Sequence, residues 1–102
     1  MTKYTTPAVP LTDYEREIVT ILMEECAEVT QRASKMIRFG ANEVQAGQFA
    51  NNIERLSEEL GNLMEMVNVV YDAGLLDSAW VEHGRANKQR KLPQYLQSSP
   101  PA

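Results

Sequence analysis

Apolar positions along the chain recur at helical spacing in two long segments. At about 100° per residue, those of the first segment form one stripe: Ile18, Leu22, Val29, Ala33 and Met36. Those of the second segment form a matching stripe: Leu56, Leu60, Leu63, Val67 and Val70. The β-branched run Val67–Tyr71 is in phase with this stripe, so it is also predicted to be helical. The pattern predicts an all-α protein.

Capping signals define the first helix and the segment after it. Thr12 and Glu15 form a capping box, so the helix is expected to run from Thr12 to about Phe39. Gly40 then suits a left-handed cap. Residues 41–50 have little periodicity and are predicted to form a loop with at most one helical turn. This loop is interpreted either as a flap over a ligand or as a plain connection.

Two more helices are bounded by similar signals. A second capping box, Asn51–Glu54, opens a helix that is expected to end near Ala73. The third helix is expected to be capped within Asp77–Ser78 and to run to about Leu92, where Pro93 ends it or begins a last turn. These signals predict three main helices.

The chain is expected to form a single domain. Residues 1–10 are predicted to be a flexible arm, 11–96 the helical domain and 97–102 a flexible tail. Three such helices do not readily close a core alone, so we expect an antiparallel bundle completed as a homodimer or homotetramer. The residues expected to meet a second copy lie beside the stripes: Ile21, Met23, Met64 and Met66.

Composition excludes several classes of protein. The 102 residues are 43% hydrophobic and 24% charged, which is typical of a globular chain rather than a disordered one. No apolar run approaches the ~20 residues of a membrane span and no signal-peptide pattern opens the chain, so a cytoplasmic location is expected. The net charge of −4 argues against nucleic acid as a partner. A single cysteine and a single histidine exclude an internal disulfide and disfavour zinc.

Polar residues interrupt both stripes at equivalent positions. Glu25 falls inside the edge of the first stripe and Glu28 one step outside it, while Glu59 and Asn62 occupy the same places on the second. Half-buried carboxylates lose hydration and repel each other, so a hard divalent cation, Mg²⁺ or Mn²⁺, is expected between them. The alternative is that they are solvated residues on amphipathic helices.

These residues carry a family resemblance. The runs E-E-C-A-E (Glu24–Glu28) and E-E-L-G-N (Glu58–Asn62) resemble the E-E-x-x-E … E-x-x-D signature of the MazG-like all-α nucleoside triphosphate pyrophosphohydrolases, especially the short, phage-type single-domain members. The resemblance covers about Tyr14–Leu96 and includes the run S-K-M-I-R-F-G (Ser34–Gly40). The chain departs from the signature in having Asn at its last position and a slightly longer gap between the two halves.

The resemblance implies an activity and a metal site. A nucleoside triphosphate and water would become a nucleoside monophosphate and pyrophosphate, for control or sanitation of the nucleotide pool, in the host cytoplasm if the chain is phage-encoded. The implied Mg²⁺ ligands are Glu25, Glu28, Glu59 and Asn62. The expected catalytic residues are Glu24, Glu25 and Glu58, with Glu24 or Glu58 orienting or deprotonating the attacking water.

Basic and polar residues elsewhere are candidates for substrate contacts. The phosphate candidates are Lys35, Arg38, Lys88 and Lys91, unless these cations only stabilise helix C-termini. The candidates for base contacts are Asn51, Asn52, Phe39 and Tyr95.

Several alternatives remain open. Asn62 is interpreted as a natural variant working with fewer charges, as a degenerate site that binds without turnover, or as an engineered change that traps substrate. Outside the enzyme class, the rival hypothesis is a helical interaction module with solvated glutamates. Among enzymes, the rival hypothesis is a related pyrophosphohydrolase that acts on a phosphoribosyl-ATP-type substrate.

Overall fold

A computed structural model of the chain describes residues 8–101. All regular secondary structure in this range is α-helical: α1 (Asp13–Phe39), α2 (Asn52–Asp72) and α3 (Ser78–Tyr95). The all-α prediction is therefore confirmed for the described part of the chain. Most of the predicted arm lies outside these residues, whereas residues 8–10 and 97–101 have no helix or strand.

Both predicted capping boxes are present. Thr12 Oγ1 accepts a hydrogen bond from the Glu15 backbone N–H at 3.1 Å, and the Thr12 N–H donates to Glu15 Oε1 at 2.8 Å. Asn51 and Glu54 make the same reciprocal pair at the start of α2, both at 2.9 Å. Each box satisfies backbone donors that a helix start leaves without an intrahelical partner. The starts of α1 and α2 are thus fixed by local side chains.

Two predicted helix ends need correction. Gly40 has the expected positive φ of 93°, but its ψ of 163° is extended, so the chain leaves α1 without a left-handed turn. The third helix continues past its predicted end near Leu92 to Tyr95: Pro93 does not end it but lies in its last turn, in line with the second alternative, and the N–H of Leu96 donates to Leu92 O at 3.3 Å. A proline this close to the C-terminus removes only one hydrogen bond of the last turns, so the helix tolerates it.

The packing face of α1 agrees with the predicted stripe. Ile18 is 5% exposed, and the other predicted positions are half-buried: Leu22, Val29, Ala33 and Met36. Glu25 is half-buried in the same row, between Leu22 and Val29. A carboxylate therefore occupies a packing position of α1.

The packing face of α2 is rotated from the predicted stripe. Leu60 and Val67 are 40% and 38% exposed, so these two assignments were wrong. The buried and half-buried positions are instead Asn52, Arg55, Leu56, Glu59, Leu63, Met66, Val69 and Val70. Met66 therefore belongs to the packing face of α2 and not to the surface expected to meet a second copy. Glu59 thus lies in the middle of the packing row of α2. The sequence placed Glu59 at the edge of the apolar stripe, so the rotation moves it inward from the predicted position.

Only two of the three helices pack together. α1 contacts α2, whereas α3 makes no contact with either of them. The radius of gyration is 18.0 Å, compared with about 13 Å for a compact domain of this length. A bundle of three helices is therefore not closed within one chain. None of the helices between residues 8 and 101 combines the length and apolar character needed to cross a bilayer.

Candidate functional site

The connection between α1 and α2 is anchored by one buried polar residue. Asn52 is 2% exposed, and its Nδ2 donates to Gly40 O at 2.8 Å and to Glu43 Oε1 at 3.2 Å. The backbone N–H groups of Asn52 and Ile53 donate to Glu43 O and Ala41 O. Because the amide of Asn52 is buried and engaged in this network, it is not available to a nucleotide base, contrary to its assignment from the sequence.

The same connection forms one wall of a cavity. The cavity has a volume of about 620 Å³ and lies between α1, residues 48–50 of the connection and the first half of α2. Four carboxylates line it: Glu28, Glu54, Glu58 and Glu59. Arg32, Arg55 and Phe49 line it as well. This volume falls within the ~300–1,000 Å³ range of small-molecule sites.

Three of the five predicted acidic residues line this cavity. Glu28, Glu58 and Glu59 lie on its wall, whereas Glu24 and Glu25 do not. Glu25 is half-buried in the packing row of α1, and Glu24 next to it is exposed. The cavity therefore joins acids of both motifs but leaves the first two residues of the first motif outside its lining.

Asn62 also lies outside the cavity lining, but it contacts the motif. Its Nδ2 is 3.4 Å from Glu59 Oε2 and donates a long hydrogen bond to it. Asn62 is exposed, one helical turn beyond Glu59. In this arrangement its amide orients the carboxylate of Glu59 and leaves its own carbonyl oxygen free.

The predicted ligand set has the right chemistry for a hard cation, since carboxylate and amide oxygens are the ligands of Mg²⁺ and Mn²⁺. Its geometry is a separate matter. Between residues 8 and 101, no three Asp, Glu, His or Cys side chains come close enough together to hold one ion. The four predicted ligands are thus distributed over neighbouring positions of α1 and α2 and do not converge on a point in the isolated chain.

The arginines of the cavity are not paired with its acids. Nη1 of Arg32 is fully buried and has no hydrogen-bond partner. Arg55 Nη1 donates to Gln45 Oε1 in the connection. In the described part of the chain, the one ion pair joins Arg85 to Glu82 on α3, at 3.0 Å. Positive and negative groups therefore share the cavity without neutralising each other.

The predicted phosphate-binding residues occupy two places. Lys35 and Arg38 lie in the last turns of α1, where both contact the Phe39 ring, Lys35 Nζ at 5.8 Å and Arg38 Cζ at 4.8 Å from its centroid. Lys88 Nζ lies 5.3 Å from the centre of the Tyr95 ring on α3. These contacts are within cation–π range.

The residues of α3 are not brought to the cavity within one chain. Lys88, Lys91 and Tyr95 all belong to α3, which contacts neither α1 nor α2. Asn51, another predicted base contact, uses its side-chain oxygen to cap α2. Of the predicted phosphate contacts, only Lys35 and Arg38 therefore share a helix with the cavity.

Sequence reasoning overlooked Arg32, Phe49 and Arg55. Arg32 follows Glu28 by four residues and Glu25 by seven, so helical spacing already places it on the acidic face of α1. Phe49 carried no signal because its segment lacks periodicity. Arg55 directly follows the second capping box, where a basic residue is unremarkable. Helical spacing could therefore have identified Arg32 as a site residue. Phe49 and Arg55 are recognised as cavity residues only once the structure of the connection is known.

A further concavity of about 530 Å³ lies near the start of α1. Its lining, Asp13 to Ile21, comes from α1 alone. A groove along one helix cannot bring together groups from separate elements, so the cavity between α1 and α2 is the better candidate site.

Comparison with protein-family models, with curated proteins and with solved structures finds no match to this chain.

Proposed function

We propose that this chain is a divalent-cation-dependent nucleoside triphosphate pyrophosphohydrolase of the MazG-like type, which converts a nucleoside triphosphate and water to a monophosphate and pyrophosphate. The observation that carries the proposal is the position of Glu25 and Glu59. Both are half-buried in the packing rows of α1 and α2, and neither has a cationic partner among the described residues. Carboxylates in such positions are stabilised by a bound cation.

In this proposal, the oxygen atoms of Glu25, Glu28, Glu59 and Asn62 would hold the ion, which requires these side chains to turn toward one another when it binds. Mg²⁺ or Mn²⁺, when bound, polarises the phosphoanhydride and lowers the pKa of water. Glu24 or Glu58, one position before a ligand on each helix, orients the attacking water and accepts its proton. Both are exposed, so their carboxylates can reach a substrate that enters from solvent.

Asn62 is proposed to be a natural variant of the metal site. The hydrogen bond that its amide donates to Glu59 leaves Oδ1 available as a ligand. Replacing it by aspartate adds a negative ligand, so Asn62→Asp should tighten Mn²⁺ binding. If this variant and the wild type release pyrophosphate at equal rates, the site is not impaired. A rise of several orders of magnitude in Asn62→Asp would instead favour a degenerate or trapped site.

Lys35 and Arg38 are proposed to contact the outer phosphates from the end of α1. Lys88, Lys91 and Tyr95 can join them only if α3 approaches a cavity of its own chain or of a second copy. Their part in substrate binding therefore depends on the assembly.

We further propose that the helical bundle is antiparallel and is completed in a homodimer or homotetramer. Large apolar side chains remain exposed beside the packing rows, including Met23 and Met64, each 66% exposed. Such surface is normally covered by another chain. Size-exclusion chromatography with light scattering at micromolar concentration tests this, and a monomer would contradict it.

The activity test is pyrophosphate release. A panel of ribo- and deoxyribonucleoside triphosphates, assayed with Mg²⁺ or Mn²⁺ and again with excess chelator, should show turnover that depends on the cation. Absence of release from every triphosphate in the panel would refute the enzymatic proposal.

A second candidate function is a helical interaction module without catalysis. It is favoured by α3, which contacts neither α1 nor α2 and exposes Trp80 and Tyr95. Thermal melting discriminates between the two candidates. An acidic site that binds Mn²⁺ gains stability by mass action, whereas solvated glutamates give no shift in melting temperature.

A further inference from the structure

Arg32 has an unusual environment for a charged side chain. Its Nη1 is excluded from solvent, yet no acceptor lies within hydrogen-bond distance. An unsatisfied buried donor is costly, more so when the group is charged. Glu28, one turn earlier on α1, lines the same cavity but makes no ion pair with it. Within the described residues, the guanidinium of Arg32 therefore has a donor that no protein group satisfies.

Phe49 presents an apolar ring at the same cavity. Its side chain is fully exposed, although it lines the cavity wall. The segment that carries it is fixed: Gly47 turns with a φ of 80°, and the N–H of Gln48 donates to Gln45 O at 2.9 Å. An aromatic ring held in solvent on an anchored turn is available as a stacking surface.

We propose that Arg32 and Phe49 position the substrate in this cavity: the guanidinium of Arg32, which lines the cavity, turns toward a phosphate oxygen and binds it, and Phe49 stacks on the nucleotide base. The inference rests on the proposed function for the identity of the ligand as a nucleoside triphosphate. It adds a phosphate contact and a base contact to a site otherwise composed of acids.

The mixture of groups in the cavity argues for this ligand. A cation alone would suit Glu28 and Glu59 but would leave Arg32 without an acceptor. An inorganic anion alone would suit Arg32 but would leave the ring of Phe49 uncovered. A nucleotide carried with its cation meets all three needs: the ion contacts the carboxylates, the phosphate contacts the guanidinium and the base covers the ring.

Two of the other charged groups are already engaged. Glu54 accepts the Asn51 backbone N–H in the capping box, and Arg55 donates to Gln45. Arg32 differs from Arg55 in having a buried donor without an acceptor, and it is placed on α1 beside the predicted metal ligands. These engagements make Arg32, rather than Arg55, the phosphate contact.

The test separates phosphate contact from base contact by using two ligands. Isothermal titration in Mg²⁺ compares an α,β-methylene nucleoside triphosphate, which resists cleavage at the α–β bond, with inorganic tripolyphosphate. Arg32→Gln should weaken both ligands by about tenfold or more, because a charge-assisted hydrogen bond is lost from each. Phe49→Leu should weaken only the nucleotide, by about tenfold, because stacking involves only the base.

Matched variants control for charge and for exposed aromatic surface. Arg85→Gln removes an arginine of α3 that pairs with Glu82, and Tyr14→Leu removes an exposed ring at the start of α1. Both should bind the two ligands as the wild type does. Phe49→Trp retains a stacking ring and should keep nucleotide binding, and Arg32→Lys should recover part of the phosphate binding. Circular dichroism checks that each variant is folded.

Three outcomes overturn the inference. These are unchanged binding of both ligands by Arg32→Gln, unchanged nucleotide binding by Phe49→Leu, and a Phe49→Leu variant that loses oligomeric mass but keeps its nucleotide affinity. The last would identify Phe49 as an interface residue. If the wild type binds the analogue with the expected variant pattern but releases no pyrophosphate, the proposed function fails and the inference stands. If the wild type turns over and both variants keep its KM, the inference fails and the function stands.

Discussion

The pair formed by α1 and α2 differs from α3 in how its helices are held. α1 and α2 pack along one face each and share a buried anchor in Asn52, whereas α3 makes no contact with them. The hydrogen bonds and the ion pair of α3 link neighbours within the helix, such as Arg85 to Glu82. Isolated helices are only marginally stable in water. The difference indicates that structure and candidate chemistry both reside in the α1–α2 pair, and that α3 depends on its own capping or on another surface.

Backbone amide exchange should show the largest contrast between the two regions. In dilute protein without ligand, amides of α1 and α2 should exchange about a thousandfold more slowly than those of α3, because only the packed pair must unfold cooperatively. Mass spectrometry of deuterated peptides measures this contrast. Adding nucleotide and Mg²⁺ should slow exchange in α3 if Lys88, Lys91 and Tyr95 contact substrate. Equal protection of all three helices in the free protein would contradict the comparison.

Removing one charge from the packed pair should produce the next largest effect. Glu59→Gln keeps the volume of a half-buried side chain but removes a proposed metal ligand, so pyrophosphate release should fall about 100-fold. Glu65→Gln, an exposed position on the same helix, is the control and should be neutral. Similar activity in both variants would remove Glu59 from the site.

Loss of the hydrogen bonds of Asn52, which anchor the connection between α1 and α2, should have a smaller effect, and the effect should be on stability. Asn52→Ala leaves Gly40 O without its donor inside the fold, so the free energy of unfolding should fall by about 1–3 kcal/mol in urea titrations. Asn68→Ala, on the exposed face of α2, should change it little. A loss as large in Asn68→Ala would show that the amide network is not what holds the connection.

Helix caps give the finest comparison. Thr12→Ala and Asp77→Ala each remove a side-chain acceptor that contributes about 1 kcal/mol. Since α1 is packed, the first change should lower the urea midpoint of the whole protein. Since α3 is not packed on the other helices, Asp77→Ala should reduce the helicity measured by circular dichroism but leave the urea midpoint of the protein unchanged. A midpoint shift in Asp77→Ala would indicate that α3 unfolds together with the pair.

The local features of the fold were predictable from the sequence. Two capping boxes, the three helices and the packing row of α1 all follow from residue type and spacing. Glu25 was placed correctly because its neighbours in the row, Leu22 and Val29, leave no other position for it. Such features depend on contacts within about four residues, which the sequence displays directly.

The arrangement between elements was less predictable. On α2, Leu60 and Val67 carry the same apolar signal as Leu63, so spacing alone could not identify the side that faces α1. In the site, Arg32 shares the helical spacing of the acids, but its burial without a partner depends on how α2 and the connection pack against it. These properties are set by tertiary structure.

The way Asn52 secures the connection has a consequence for protein engineering. The bonds that fix the segment involve its first residues and α2, through Gly40, Ala41, Glu43 and Gln45, whereas Ala46 and residues 48–50 donate no side-chain bonds to either helix. Residues 48–50 can therefore be substituted without removing the hydrogen bonds that hold the connection to α2. Libraries that randomise residues 48–50 should yield folded proteins that differ in what they recognise.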